Sequence, residues 1–196
     1  MTKTNAVIDY LRSRKSLPLT MMSEPGPSES ELRDMLEIAA RTPDHGRLEP
    51  WRFIVYRDEA GREIGEKLAV RAQEINGPMP DDQIERERNR IRRAPVAIGV
   101  VAVTKESEKI PAWEQFLSAG AVTMNLVHAA NAYGYKANWV TGWYSDDEKG
   151  RAILGLSPNE RMAGIVHIGS SDREIAERPR PDIESLISDY SGEYQG

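Results

Sequence analysis

Two groups of polar and cationic residues close the first two helix-like stretches of the chain. Arg12, Arg14, Lys15 and Ser16 follow the first, and Arg41, Asp44 and His45, with Pro50 and Trp51 beyond them, follow the second. Residues of these types could hold one large ligand that is anionic at one end and aromatic at the other. Guanidinium, ammonium and hydroxyl donors suit a phosphate, and further donors suit the edge of a ring that gains negative charge. A basic residue in the last turn of a helix is also favoured by the helix dipole with nothing bound. From charge alone, each patch therefore reads first as solvated helix-end cations. The later run Trp139-Val140-Thr141-Gly142 supplies an aromatic face and a hydroxyl, and it gives the combination its interest.

Flavin mononucleotide (FMN) is a ligand of this shape. Arg12, Arg14, Lys15 and Ser16 can serve its phosphate, and Arg41 and His45 part of its ring edge. Other chemistries fit the residues less well. The three histidines, His45, His128 and His167, show neither HxxxH nor HExxH spacing, so two ligands do not share a helical face and no metal site is expected. His128 and His167 read as packed residues with satisfied ring nitrogens, whereas His45 stays open beside Asp44. No G-x-S-x-G marks a nucleophile elbow. Gly61 to Lys67 is one residue short of a phosphate loop and lacks the Ser or Thr after the lysine. No G-x-G-x-x-G follows a strand, so any nicotinamide cofactor is expected to bind transiently, outside a Rossmann site.

The bulk composition narrows the classes further. The 196 residues suit one domain with a real core, and 39% hydrophobic with 29% charged residues lies outside the disordered range. A formal net charge of -5 speaks against duplex nucleic acid as partner. The arginine run from Arg86 to Arg93 alternates with Glu85 and Glu87, which reads as a solvated helix. Without cysteine there is no disulfide, thiolate site or cysteine nucleophile, so redox chemistry would need a borrowed cofactor. The apolar run Ala94 to Val103 is too short for a bilayer span of roughly 20 residues. The start of the chain carries no apolar segment of a secretory signal, so the protein reads as cytoplasmic.

Elements that must position these residues follow from periodicity. Val7, Ile8 and Leu11 share one helical face, and Ser28 with Glu31 forms a start signal for a second helix through Leu32, Met35, Leu36, Ala39 and Ala40. Pro43 pushes Thr42 out of helical geometry, so this helix should stop near Arg41 and leave Arg41 to His45 in a turn. Trp51 to Arg57 reads as a strand, Glu59 to Gln73 as a surface helix, and Asp81 to Arg93 as another helix or a mobile flap, with Met79 to Arg93 the candidate lid. Pro95 to Thr104 reads as a buried strand. Pro111 to Tyr133 is the longest helix, ended by Gly134, and it is apolar almost all round, which predicts burial on several sides and a subunit interface. Lys136 to Thr141 and Met162 to Ser170 read as strands about a short helix from Asp146 to Leu154. The tail after Asp172 carries Ile183, Leu186 and Ile187, enough to dock on a neighbouring subunit.

Several motifs in order resemble the FMN-dependent nitroreductase family. They are Arg14-Lys15-Ser16, Ala40 through His45 to Pro50-Trp51, Trp113-Glu114-Gln115 with Ser118-Ala119-Gly120, Trp139-Val140-Thr141-Gly142, and Gly164 through Gly169. The likeness spans roughly residues 5 to 170. It implies an α+β fold in three α/β/α layers, with a central mixed, largely antiparallel sheet flanked by helices. It also implies a long central helix at a homodimer interface that holds two FMN sites. By the same likeness, Arg14, Lys15 and Ser16 hold the phosphate and ribityl side, and Arg41 and His45 reach the flavin of the opposite subunit. Trp139, Val140 and Thr141 line the ring, and Ala129, Ala130, Asn131, Ala132, Tyr133 and Gly134 resemble a stretch that meets NADPH or NADH. Lys15 stands where a second arginine is usual, Val140 where a polar residue is, and Glu49 where an amide is frequent. The implied activity is reduction of electron-poor small-molecule acceptors, nitroaromatics and quinones. Its rivals are a flavin-binding or sensing protein with little turnover, and other flavin chemistry such as reductive dehalogenation.

Overall fold

The computed structural model describes residues 5–190 and 192 in two units, residues 16–173 and a smaller one from the two ends of the chain. In the smaller unit α1 (Ala6–Ser13) starts at Asn5, whose side chain accepts from the Val7 amide at 2.9 Å. No residue of α1 is buried, and Val7, Ile8 and Leu11 all face solvent. A 3-10 turn, Ile183–Leu186, also leaves Ile183, Leu186 and Ile187 exposed.

The larger unit begins its helices with α2 (Glu29–Ala39). The Ser28 hydroxyl accepts from the Glu31 amide while the Glu31 carboxylate accepts from the Ser28 amide, a reciprocal cap worth about 1 kcal/mol. Four strands follow: β1 (Trp51–Tyr56), β2 (Val96–Ala102), β3 (Lys136–Val140) and β4 (Arg161–Gly169), ordered β1-β2-β4-β3. A mixed, largely antiparallel sheet was expected, and all three strand pairings are antiparallel. β2 and β4 occupy the centre and read as continuous apolar runs because both faces are covered.

One face of the sheet carries α2 and the long α5 (Ala112–Ala132). There Met35, Ala39, Val122, Leu126 and Ala130 pack on Ile98, Val100, Val166 and Ile168. The other face carries α3 (Asp58–Asn76), α6 (Trp143–Asp146) and α7 (Glu148–Ile153). Leu68, Tyr144 and Leu154 pack there on Tyr56, Ala97, Val101 and Ile165. These three layers realise the α+β architecture that the motifs imply. No helix among the described residues is long and apolar enough to cross a membrane.

α4 (Asp81–Arg88) is mostly exposed, as expected of a solvated helix, but Glu87 departs from that reading. Gly65 of α3 touches the Arg88 backbone so closely that a Cβ there would stand 1.9 Å from the Arg88 carbonyl oxygen. Glu87 is only 5% exposed, and its carboxylate accepts from Trp143 Nε1 at 3.0 Å and Arg90 Nε at 2.9 Å. Burial pushes its pKa up, but the hydrogen bonds from Arg90 and Trp143 outweigh burial and hold it below the usual carboxylate range. Glu87 looks solvated in the sequence because its partner Trp143 lies far along the chain.

Candidate functional site

The segment between α2 and β1 is held in an unusual shape. Gly46, Arg47 and Glu49 all have left-handed backbone, with φ of 70°, 53° and 47°. For a residue with a side chain this costs roughly 1–2 kcal/mol and persists only where the surroundings over-determine it. Here they do. Asp44 accepts from the Leu48 amide at 3.1 Å and the Glu49 amide at 2.8 Å. Thr42 donates to the Ala39 carbonyl at 2.9 Å and accepts from Asn125 Nδ2 at 2.7 Å. Ser118 donates to the Pro43 carbonyl at 2.7 Å, and His45 Nδ1 meets Glu114 Oε1 at 2.6 Å.

Glu114, Ser118 and Asn125 recur at i, i+4 and i+11, so one stripe of α5 clamps the loop along its length. Between loop and helix lies a cleft of about 310 Å³, lined among others by Asp44, His45, Ile110, Glu114, Ser118 and Ala121. The motif Trp113-Glu114-Gln115 divides its labour. Trp113 is 65% exposed. Gln115 is buried, donating to the Lys105 and Ile110 carbonyls and accepting from the Lys105 amide, so it fixes the loop before α5. Glu114 is the partner of His45, a role that its motif does not reveal.

A second candidate surface forms at the end of β3. Trp139 is 38% exposed, and its indole Nε1 donates to the Ala163 carbonyl at 3.1 Å. The ring crosses β4 at Gly164, where a Cβ would stand 1.9 Å from Nε1. Thr141 is exposed, while Val140 packs into the core beneath α6. Strand alternation sets Trp139 and Val140 on opposite faces, so a ligand on the indole side meets Val140 through its backbone. Asn138 donates to the Leu17 carbonyl at 2.7 Å, which ties the residue after Ser16 to the same strand. Ser16 itself is exposed.

The other expected site residues fall as follows. Arg14 caps α1 through its amide, and its guanidinium has no hydrogen bond or ion pair among the described residues. Lys15 donates to the Ile175 carbonyl at 3.0 Å and lies 3.4 Å from Glu177. Arg41 is exposed, and its guanidinium is likewise unpaired among the described residues. Ala129 and Ala130 are buried in the core, so a nucleotide approaching this stretch would meet Asn131, Ala132, Tyr133 and Gly134 instead. Asn131 bonds back to the Val127 carbonyl, the Tyr133 hydroxyl donates to Asp34, and Gly134 ends the helix at φ 89°.

His167 corrects an expectation. It is 0% exposed, and neither ring nitrogen has a hydrogen-bond partner among the described residues. In register it faces Ala97 on one side and Asn138 on the other, and the Asn138 amide nitrogen is engaged by Leu17. Burial first, and the Arg93 charge second, lower its pKa to about 4, so the ring is neutral at neutral pH.

The fold agrees with what the chain is similar to. The model of the nitroreductase family matches residues 11–170. "Putative NAD(P)H nitroreductase" of Haemophilus influenzae is 34% identical over 172 residues, 87% of this chain and 91% of that protein. "Putative NAD(P)H nitroreductase YdjA" of Escherichia coli K12 is 31% identical over 83% of this chain and 87% of its own. Among solved structures, a nitroreductase-like family protein from Bacillus cereus superposes with a TM-score of 0.79 at 20% identity, covering 98% of this chain and all of that one. A nitroreductase with bound FMN from Bacteroides fragilis superposes with a TM-score of 0.73 at 20% identity, covering 96% and 100%. The chain belongs to the nitroreductase family.

Proposed function

We propose that this protein is an FMN-dependent oxidoreductase that takes electrons from NADPH or NADH and passes them to electron-poor small molecules such as nitroaromatics and quinones. The observation that carries the reading is the family match across residues 11–170. The geometry supports it: an indole held rigid yet half open, an over-determined loop, and guanidinium groups at Arg14 and Arg41 with no hydrogen bond or ion pair among the described residues.

Bound flavin would supply the two-stage hydride chemistry. The chain's own residues then bind and orient. Arg14, Lys15 and Ser16 neutralise the phosphate, Lys15 as a point charge without the two-pronged grip of arginine. Trp139 offers a flat apolar wall, Thr141 a hydroxyl and Val140 its backbone. Arg41 and His45 of each subunit serve the flavin of the other, and the end of α5 from Asn131 to Gly134 meets the nicotinamide nucleotide. No side-chain acid or base is needed for hydride transfer, so positioning and electrostatics are the protein's contribution.

The working form in this reading is a cytoplasmic homodimer of single-domain chains. Trp113, Phe116 and Leu117 expose a continuous apolar stretch of α5, and burying each would contribute roughly 1.5–3 kcal/mol. The tail, with Ile183, Leu186 and Ile187 exposed, docks on the other subunit. The visible spectrum of freshly purified protein tests the proposal, followed by mass identification of what heat releases. A flavin spectrum with FMN in the supernatant is expected; colourless protein that also refuses added FMN contradicts it.

A further inference from the structure

We infer that Glu114 is a positioning residue for the flavin site, acting through His45; the inference rests on the flavin-binding role proposed for His45 above. His45 Nδ1 and Glu114 Oε1 are 2.6 Å apart. An ionised carboxylate can only accept, so the shared proton belongs to Nδ1. That assignment fixes the ring, because one nitrogen is spent on Glu114 and Nε2, unpaired among the described residues, is the atom left for a ligand.

Both partners are held for this. His45 sits in the loop whose left-handed residues are locked by Asp44, and Glu114 stands in the first turn of α5, where the helix N-terminus favours a carboxylate. Ser118 and Asn125 grip the same loop one and three turns further along the helix, so the loop does not need the His45–Glu114 pair for its shape. Side-chain exposures of 60% and 34% also make the pair a weak contributor to stability. What it controls is which imidazole nitrogen carries the proton and where the other one lies.

Glu114→Gln keeps size and can offer a donor instead of an acceptor, so it releases the ring without leaving a hole. The test measures FMN dissociation constants by flavin fluorescence on flavin-stripped protein for four forms: native, Glu114→Gln, His45→Phe and the double variant. Glu114→Gln is expected to weaken FMN about tenfold in the native background and to have no further effect beside His45→Phe, the non-additivity of residues acting as one unit. Nitrogen-15 spectra of the imidazole should show the proton on Nδ1 of His45 in the native protein and on Nε2 in Glu114→Gln. An unchanged dissociation constant, an equal loss in both backgrounds, or a native ring protonated only on Nε2 would overturn the inference. Native protein that fails to bind FMN removes the functional proposal as well, whereas normal binding by Glu114→Gln removes only this one.

Discussion

The indole of Trp139 lies across Gly164, with Nε1 1.9 Å from the place a Cβ would occupy and 3.1 Å from the Ala163 carbonyl it donates to. The absence of a side chain at position 164 therefore makes the aromatic wall possible. Gly164→Ala forces the indole off β4, because the colliding atom belongs to a rigid ring. The expected cost is about 1–3 kcal/mol from overpacking, read as a lower melting temperature, together with a red-shifted tryptophan emission and weaker FMN binding. An unchanged melt and emission would show that the ring does not rest there.

The loop between α2 and β1 yields a pair of opposite effects. Asp44→Ala removes the acceptor for two backbone amides and should destabilise by about 1–3 kcal/mol. Glu49→Gly relieves a left-handed residue at φ 47°, worth roughly 1–2 kcal/mol, against about 0.5–1 kcal/mol of added chain entropy in the unfolded state. The net expectation is a small gain in stability. Denaturant unfolding of both variants checks the signs.

His167 sets a pH dependence whose sign is fixed by its surroundings. Its pKa falls from 6.5 in the unfolded chain to about 4 in the folded one, so the unfolded chain takes up the proton first. The stability due to its neutral form is complete above pH 6.5, shrinks as pH falls and is gone below about 4. By pH 5 the loss amounts to about 2 kcal/mol. His167→Leu should abolish this share of the acid sensitivity between pH 7 and 5 and also remove two unpaired buried nitrogens. Urea unfolding at both pH values in the two proteins measures it, and equal slopes with pH would refute the assignment.

How much of this is legible in the sequence depends on range. The cap at Ser28 and Glu31, the end of α2 before Pro43, the valine-rich β2 and the long α5 are short-range patterns, and their boundaries came within a few residues. Glu87 reads as solvated because the partner that buries it, Trp143, lies 56 positions away. His167 reads as a residue with satisfied nitrogens because nothing in the sequence reveals that Asn138 beside it is committed to Leu17. Glu114 stands out in the sequence only as part of a motif, since its pairing with His45 spans 69 positions. Val140 could have been separated from Trp139 and Thr141 by strand alternation alone.

The Arg14 guanidinium has no hydrogen bond or ion pair among the described residues and heads the proposed phosphate group. Arg14→Glu reverses the charge there and should yield protein that folds normally, since no ion pair is broken, yet loses most of its flavin during purification. The ratio of flavin to protein absorbance measures it. Full flavin content in this variant would remove Arg14 from the site.

The central claim is that the chain carries FMN and turns it over with a nicotinamide nucleotide. Rapid mixing of the purified yellow protein with NADPH, and separately with NADH, under argon addresses it in one trace. The expected result is fast bleaching of the flavin band with at least one of the two, followed by recovery of the colour on adding a quinone or a nitroaromatic. Persistent colour with both nucleotides would contradict an oxidoreductase and leave a protein that only holds the flavin.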